Sequence, residues 1–125
     1  MTDLSTRGRR LLAALELQDP TLREETNPAR EVALSAALAA DRVDRLEALA
    51  VDVDPYIVTE KGAYITHPVL VEVRQQATLL ARLVAALRLP DPKSGRRPQT
   101  RPMRGVQQPS KVSSLERARE RAEGA

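Results

Sequence analysis

Few side chains in this sequence have the means to do chemistry, and most of those are cationic. His67 is the only histidine and there is no cysteine, so a thiolate metal site or a histidine-rich metal cluster cannot be assembled. His67 stands directly before Pro68, which makes capping of a helix its expected role rather than catalysis. Lys93-Ser94-Gly95 has the wrong order for a phosphate-cradling Gly-Lys-Ser/Thr loop and lies among prolines, so ATP hydrolysis is not expected. Asp41, Asp44 and Glu47 alternate with Arg42 and Arg45, the pattern of a solvated helix face rather than a divalent-ion site. Asp52 and Asp54 bracket a turn and read as structural. The expectation is a protein that is not an enzyme and carries no cofactor and no metal.

What the cations can do is neutralise phosphate. Residues 1–89 hold 11 Lys and Arg against 13 Asp and Glu, residues 90–111 hold 6 against 1, and residues 112–125 hold 3 against 3. The net charge of +3 is thus concentrated in one segment, Lys93, Arg96, Arg97, Arg101, Arg104 and Lys111, with only Asp91 opposing. Pro90, Pro92, Pro98, Pro102 and Pro109 interrupt the same segment, so it reads as an extended or disordered arm. Such an arm would bind a polyanion strongly at low salt and with little sequence preference; docking to a protein partner and service as a passive linker are the other readings of the same charges. Tyr56 and Tyr64 are the only aromatics and neither lies among these cations, so base stacking on single strands is not supported. Arg7, Arg9 and Arg10 form a second cluster at the start of a short helical pattern, where the helix dipole disfavours positive charge. That placement points to an external anion, with a solvated basic terminus as the alternative.

These cations must be carried by helices. With no Phe and no Trp, the core is left to Leu, Val, Ile and Ala, so the expected class is mainly all-α. No run of eighteen apolar residues and no signal-peptide pattern is present, and the protein is expected to be soluble and intracellular. Residues 1–7 read as a disordered N-terminus and residues 8–89 as one helical and oligomerising domain. Residues 90–111 form the Pro/Arg-rich arm and residues 112–125 a short terminal helix.

Within the domain, Leu11, Leu12 and Leu15 mark a first helix over 8–17, stopped by Gln18-Asp19-Pro20. A second follows Thr26-Asn27-Pro28, with Asn27 as cap and Pro28 in the first turn. Its seam, Val32, Ala36, Ala39, Val43, Leu46 and Ala50, is spaced four-three-four-three-four, and Ala36, Ala37, Ala39 and Ala40 permit close helix approach. The longest helix spans 66–89, capped by Thr66 or His67. One apolar row runs through Leu70, Val73, Ala77, Leu80, Val84 and Leu87, and a second through Val69, Leu79, Leu83 and Ala86. Arg74, Gln75, Arg82 and Arg88 mark the wet side. Two rows are more than a chain of 125 residues can cover, so the first is assigned to the core of an antiparallel helix hairpin and the second, with Tyr64, to a subunit interface. Between the long helices, residues 56–59 and 63–66 are β-prone and joined through Glu60-Lys61-Gly62, which predicts a small β-hairpin that needs support from its own helices or a neighbouring subunit. Beyond the arm, Ser113 and Glu116 have capping-box spacing, and Leu115 is the one large apolar residue of the last helix.

In this order, a long helix, Ile57-Val58, Glu60-Lys61-Gly62, an aromatic, His67-Pro68-Val69-Leu70 and a helix running into Leu89-Pro90, the sequence resembles the small subunit of tailed-phage terminases, in the helical family of phages and prophages of the actinobacteriophage kind. LPDPKSGRRPQTRPMRG and the later SSLERARER are similar to C-termini of that family. The resemblance covers about residues 30–121 and is strongest over 59–92. It departs at Asp91-Pro92, where many members continue with a Ser-Arg pair. The resemblance implies a ring-forming homo-oligomer in the bacterial host cytoplasm that binds double-stranded phage DNA. Such a ring regulates the ATPase and nuclease of the large terminase subunit during genome packaging. On that view Arg7, Arg9, Arg10 and the cations of the arm are the DNA contacts. Leu115, Arg117, Arg119 and Arg121 are then the contact with the large subunit. A small structural or scaffolding protein with a basic tail and no specific DNA role is the alternative.

Overall fold

The computed structural model describes residues 3–99 and 114–124. In chain order these form α1 (Thr6–Gln18), a 3-10 turn (Pro20–Arg23), α2 (Ala29–Ala50), β1 (Tyr56–Val58), β2 (Tyr64–Thr66), α3 (Pro68–Ala86) and α4 (Ser114–Glu123). Helices α2 and α3 pack as the expected hairpin, with the two-stranded antiparallel β-hairpin between them.

The helix boundaries follow local chemistry. Asn27 Oδ1 accepts from the Ala29 amide at 3.0 Å, so Asn27 caps α2 as its sequence context predicts. His67 Nδ1 accepts from the Val69 amide at 3.2 Å, and Pro68 fills the first position of α3. At its far end α3 stops at Ala86, three residues short of the expected boundary, because Arg88 takes a left-handed conformation with φ 47 and turns the chain away from the helix axis.

The seam of α2 faces inward along its length: Ala36, Ala39 and Val43 are buried, and Val32, Leu46 and Ala50 half-buried. A further element shares the work. Helix α1 packs on α2, its Leu15 joining Leu22, Ala33, Ala36 and Leu87 in the core cluster, so the core is built from three helices instead of the expected two. Nine apolar residues are buried among the described ones, and five of them are alanines. An alanine-rich seam brings backbones close but buries little apolar area per residue.

The core is lopsided. Leu80, Leu83, Val84 and Leu89 pack on the cluster from the C-terminal half of α3 and beyond, where α1 ends and α2 begins. At the opposite end, the hairpin pairs Tyr56 with Thr66, Ile57 with Ile65 and Val58 with Tyr64, and all six residues are exposed. Gly62, with φ 77, closes its turn, and the His67 amide donates to Pro55 O at 2.9 Å. Among the described residues no helix is long and apolar enough to cross a membrane.

Candidate nucleic-acid interface

The first cationic cluster is built on the N-terminus of α1, and there the anion is internal. Asp41, from the middle of α2, reaches across so that its carboxylate accepts from the Ser5 amide at 2.7 Å, the Gly8 amide at 2.6 Å and the Ser5 hydroxyl. It therefore takes up the Gly8 amide, one of the free amides that open α1, together with the amide of the Ser5 cap. Burial alone would raise the Asp41 carboxyl. The donors from Ser5 and Gly8, with Arg45 nearby, outweigh it and hold the group below its ordinary value of 3.8. Arg7 is neutralised by the next turn of α2, its guanidinium lying 2.8 Å from Glu47 and 3.6 Å from Asp44.

Two expectations are corrected here. Residues 5–7 are tied to α2 rather than disordered, and Asp41 is buried against the start of α1 rather than solvated, whereas Asp44 and Glu47 keep the exposed face expected of them while pairing with Arg7. Arg7 is thus not a free phosphate contact. Arg9 and Arg10 are exposed and form no ion pair among the described residues.

Gly8 makes the close approach feasible. A Cβ at this position would stand 2.5 Å from Asp41 Oδ2 and 2.7 Å from Ala37 O. Sequence reasoning missed this pair. The signal was a lone glycine inside a helical pattern and an aspartate following four alanines on one face of α2.

The second cluster also differs from expectation over its described part. Residues 88–98 are folded back on the end of α1 rather than extended. Gln18 Nε2 donates to Pro90 O at 3.0 Å, the Arg88 guanidinium donates to Pro98 O, and Arg97 Nη1 donates to Arg88 O at 3.4 Å. A tight turn forms inside the segment. The Gly95 amide donates to Asp91 O at 2.7 Å and the Asp91 amide to Arg96 O at 2.8 Å, with Gly95 at φ 66. The Asp91 side chain accepts from Ser94 Oγ and from the Lys93 and Ser94 amides, which lowers its pKa below 3.8. Proline content signalled an interrupted chain, but the turn was legible only in the Asp-Pro-Lys-Ser-Gly order.

Arg97 closes the arrangement. Its Nη2 donates to Asp19 Oδ2 at 2.8 Å, the Arg97 side chain half-exposed and the Asp19 side chain only 4% exposed. Asp19 Oδ1 accepts from Thr21 Oγ1 at 2.6 Å and from the Thr21 amide at 3.2 Å. These Thr21 donors, then Arg97, hold the Asp19 carboxyl below 3.8 against the opposing effect of burial. Arg97 is thus engaged within the chain, whereas Lys93 and Arg96 are exposed and form no ion pair among the described residues. Arg101, Arg104 and Lys111 lie outside the described residues.

The expected interface residues divide. Tyr64 is 75% exposed and Leu79 41%, Ala86 is exposed and Val69 half-buried. Leu83 packs on the chain's own core and leaves the interface set, because it lies within about 60° of Leu80 around the axis, whereas Leu79 and Ala86 lie about 100–120° away. Arg74, Gln75, Arg82 and Arg88 are exposed, as expected of the wet side. Helix α4 presents exposed Arg119 and Arg121; the side chains of Leu115 and Arg117 fall outside the described ones. No group of three acidic or histidine side chains among the described residues could hold a metal ion. Comparison of the chain with protein-family models, with curated proteins and with solved structures returns no match.

Proposed function

We propose that this chain is a DNA-binding adaptor without catalytic chemistry, of the kind its sequence resembles: a terminase small subunit that assembles into a ring, engages double-stranded phage DNA and regulates the large packaging subunit. The observation that carries the reading is the part of the two expected cation clusters left over once internal pairs are discounted. Arg9, Arg10, Lys93 and Arg96 are exposed and form no ion pair among the described residues, which is the surface a phosphate backbone requires. The exposed β-hairpin supports the oligomeric half of the reading. Its strands have no packing of note on the chain's own helices, and a two-stranded hairpin in water is marginal without a neighbour.

The test is binding of the full chain to double-stranded DNA across a salt series, with native mass spectrometry of the same sample. A closed oligomer should appear, and affinity should fall steeply with salt. Replacing Lys93 and Arg96 with Ala should flatten the slope of log affinity against log salt by about 0.9 for each phosphate that is no longer neutralised. Removal of residues 112–125 should weaken binding of the large subunit and leave the oligomer intact. A monomer that gives no shift at low salt overturns the proposal in favour of a scaffolding protein whose basic tail has no DNA role.

A further inference from the structure

We propose that residues 88–98 form a strap gated by nucleic acid: Asp19 holds Arg97 in the free chain, and a DNA phosphate takes Arg97 over, lifting the strap from the end of α1. The inference rests on the DNA-binding reading above and adds to it a regulatory step within the chain.

Three features make the strap releasable. Beyond Leu89, which packs on the core at its root, its attachments to the rest of the chain are few and polar: Arg97 to Asp19 and Gln18 to Pro90 O. It leaves α3 through Arg88 at φ 47, a position where a short segment can pivot, and the internal turn at Gly95, φ 66, keeps it compact. The surface under it is open, a groove lined by Ala14, Leu17, Gln18, Pro90, Pro92 and Gly95 in which Leu17 is 79% exposed.

The chemistry at Asp19 couples the two states. Arg97 is half-exposed and a phosphate can reach it, whereas the Asp19 side chain is 4% exposed. Its Oδ1 keeps both Thr21 donors whatever Arg97 does. Among the described residues, Oδ2 has Arg97 alone. Withdrawal of Arg97 with the strap in place would leave a buried carboxylate oxygen unpaired, which is strongly unfavourable; lifting the strap lets water replace the guanidinium. Transfer of Arg97 and opening of the strap are therefore one event. A guanidinium is suited to the exchange because its planar fork fits a carboxylate or a phosphate equally well.

The experiment compares the full-length wild type with Asp19→Asn and Arg97→Gln, using a short DNA duplex at low salt. Asparagine keeps an acceptor for Thr21 but gives up the charge that holds Arg97; circular dichroism checks that both variants fold. The Gln18 side-chain amide signal in NMR spectra reports whether the strap is docked. In the wild type that signal should move on addition of DNA, and in both variants it should already occupy the released position. Asp19→Asn should bind DNA several-fold more tightly than the wild type, whereas Arg97→Gln should lose about 0.9 from the salt slope relative to Asp19→Asn. If DNA binds the wild type without moving the Gln18 signal, and Asp19→Asn binds no more tightly, the strap is static and the inference falls while the DNA reading stands. If none of the three proteins binds DNA, both fall.

Discussion

Gly8 and Asp41 show how a single position can fix the approach of two helices. A methyl group on Gly8 would press on Asp41 Oδ2 and on Ala37 O at once, and the second of these is backbone that cannot rotate aside. Gly8→Ala should therefore destabilise the fold by about 2–4 kcal/mol in chemical denaturation, where an exposed helical Gly→Ala would stabilise it. Asp41 and Asp19 both have carboxyls lowered from 3.8. A group with a depressed folded-state pKa contributes stability above its unfolded value and loses it as pH falls through the folded one. Acid unfolding should thus steepen below about pH 4. Asp41→Asn should be less stable at neutral pH and show a shallower acid limb, monitored by circular dichroism. The caps at Asn27 and His67 were legible because each is a local pattern of polar residue and proline. The partners of Asp41 lie more than thirty positions away, and nothing in its immediate neighbours distinguishes a buried carboxylate from a solvated one.

At the scale of the element, α3 separates what periodicity can and cannot tell. Two apolar rows were legible in its sequence, but the division between core and outer surface depends on which neighbours arrive, and α1 was not expected among them. With α1 packed on α2, the core stripe comes to include Leu83 alongside Leu80, Val84 and Leu87. Leu83→Ala should then cost about 2 kcal/mol or more of unfolding free energy. Leu79→Ala should change that quantity by less than about 0.5 kcal/mol and, on the ring-forming reading proposed above, reduce the oligomer fraction in native mass spectra. The β-hairpin was read with its strands one residue too long at the turn. Thr59 and Ala63 keep the backbone bond of a continuing ladder at 2.8 Å, yet Thr59 also serves the turn by accepting from the Gly62 amide.

At the scale of the molecule, most of the surplus apolar surface of the described residues lies away from the core. The core cluster occupies the end where α1 stops and α2 starts, where Leu17 is the exposed exception, and the exposed apolar side chains Leu49, Val51, Tyr56, Val58 and Tyr64 occupy the other. On the ring-forming reading proposed above, paired changes Tyr64→Lys and Ile65→Lys should shift the protein to monomers in analytical ultracentrifugation while its helical circular dichroism is largely kept. The mainly helical fold was legible at this scale from composition alone, because a chain lacking Phe and Trp has little else to build with. The assignment of cations was legible only in part: the sequence located the positive charge, but the acidic residues that claim Arg7 and Arg97 come from distant segments.

The five buried alanines have a consequence for how such a chain can drift through sequence space. Most interiors accept a larger side chain at one site when a facing one shrinks. Where Ala33, Ala36, Ala37, Ala39 and Ala40 line a helix, the small side of the contact is already at its limit, and enlarging it would take volume from Leu15, Leu22 and Leu87, the few large side chains the core has. Divergence would have to accumulate on the outer residues of the hairpin and the strap, leaving this seam as the slowest-changing part of the lineage.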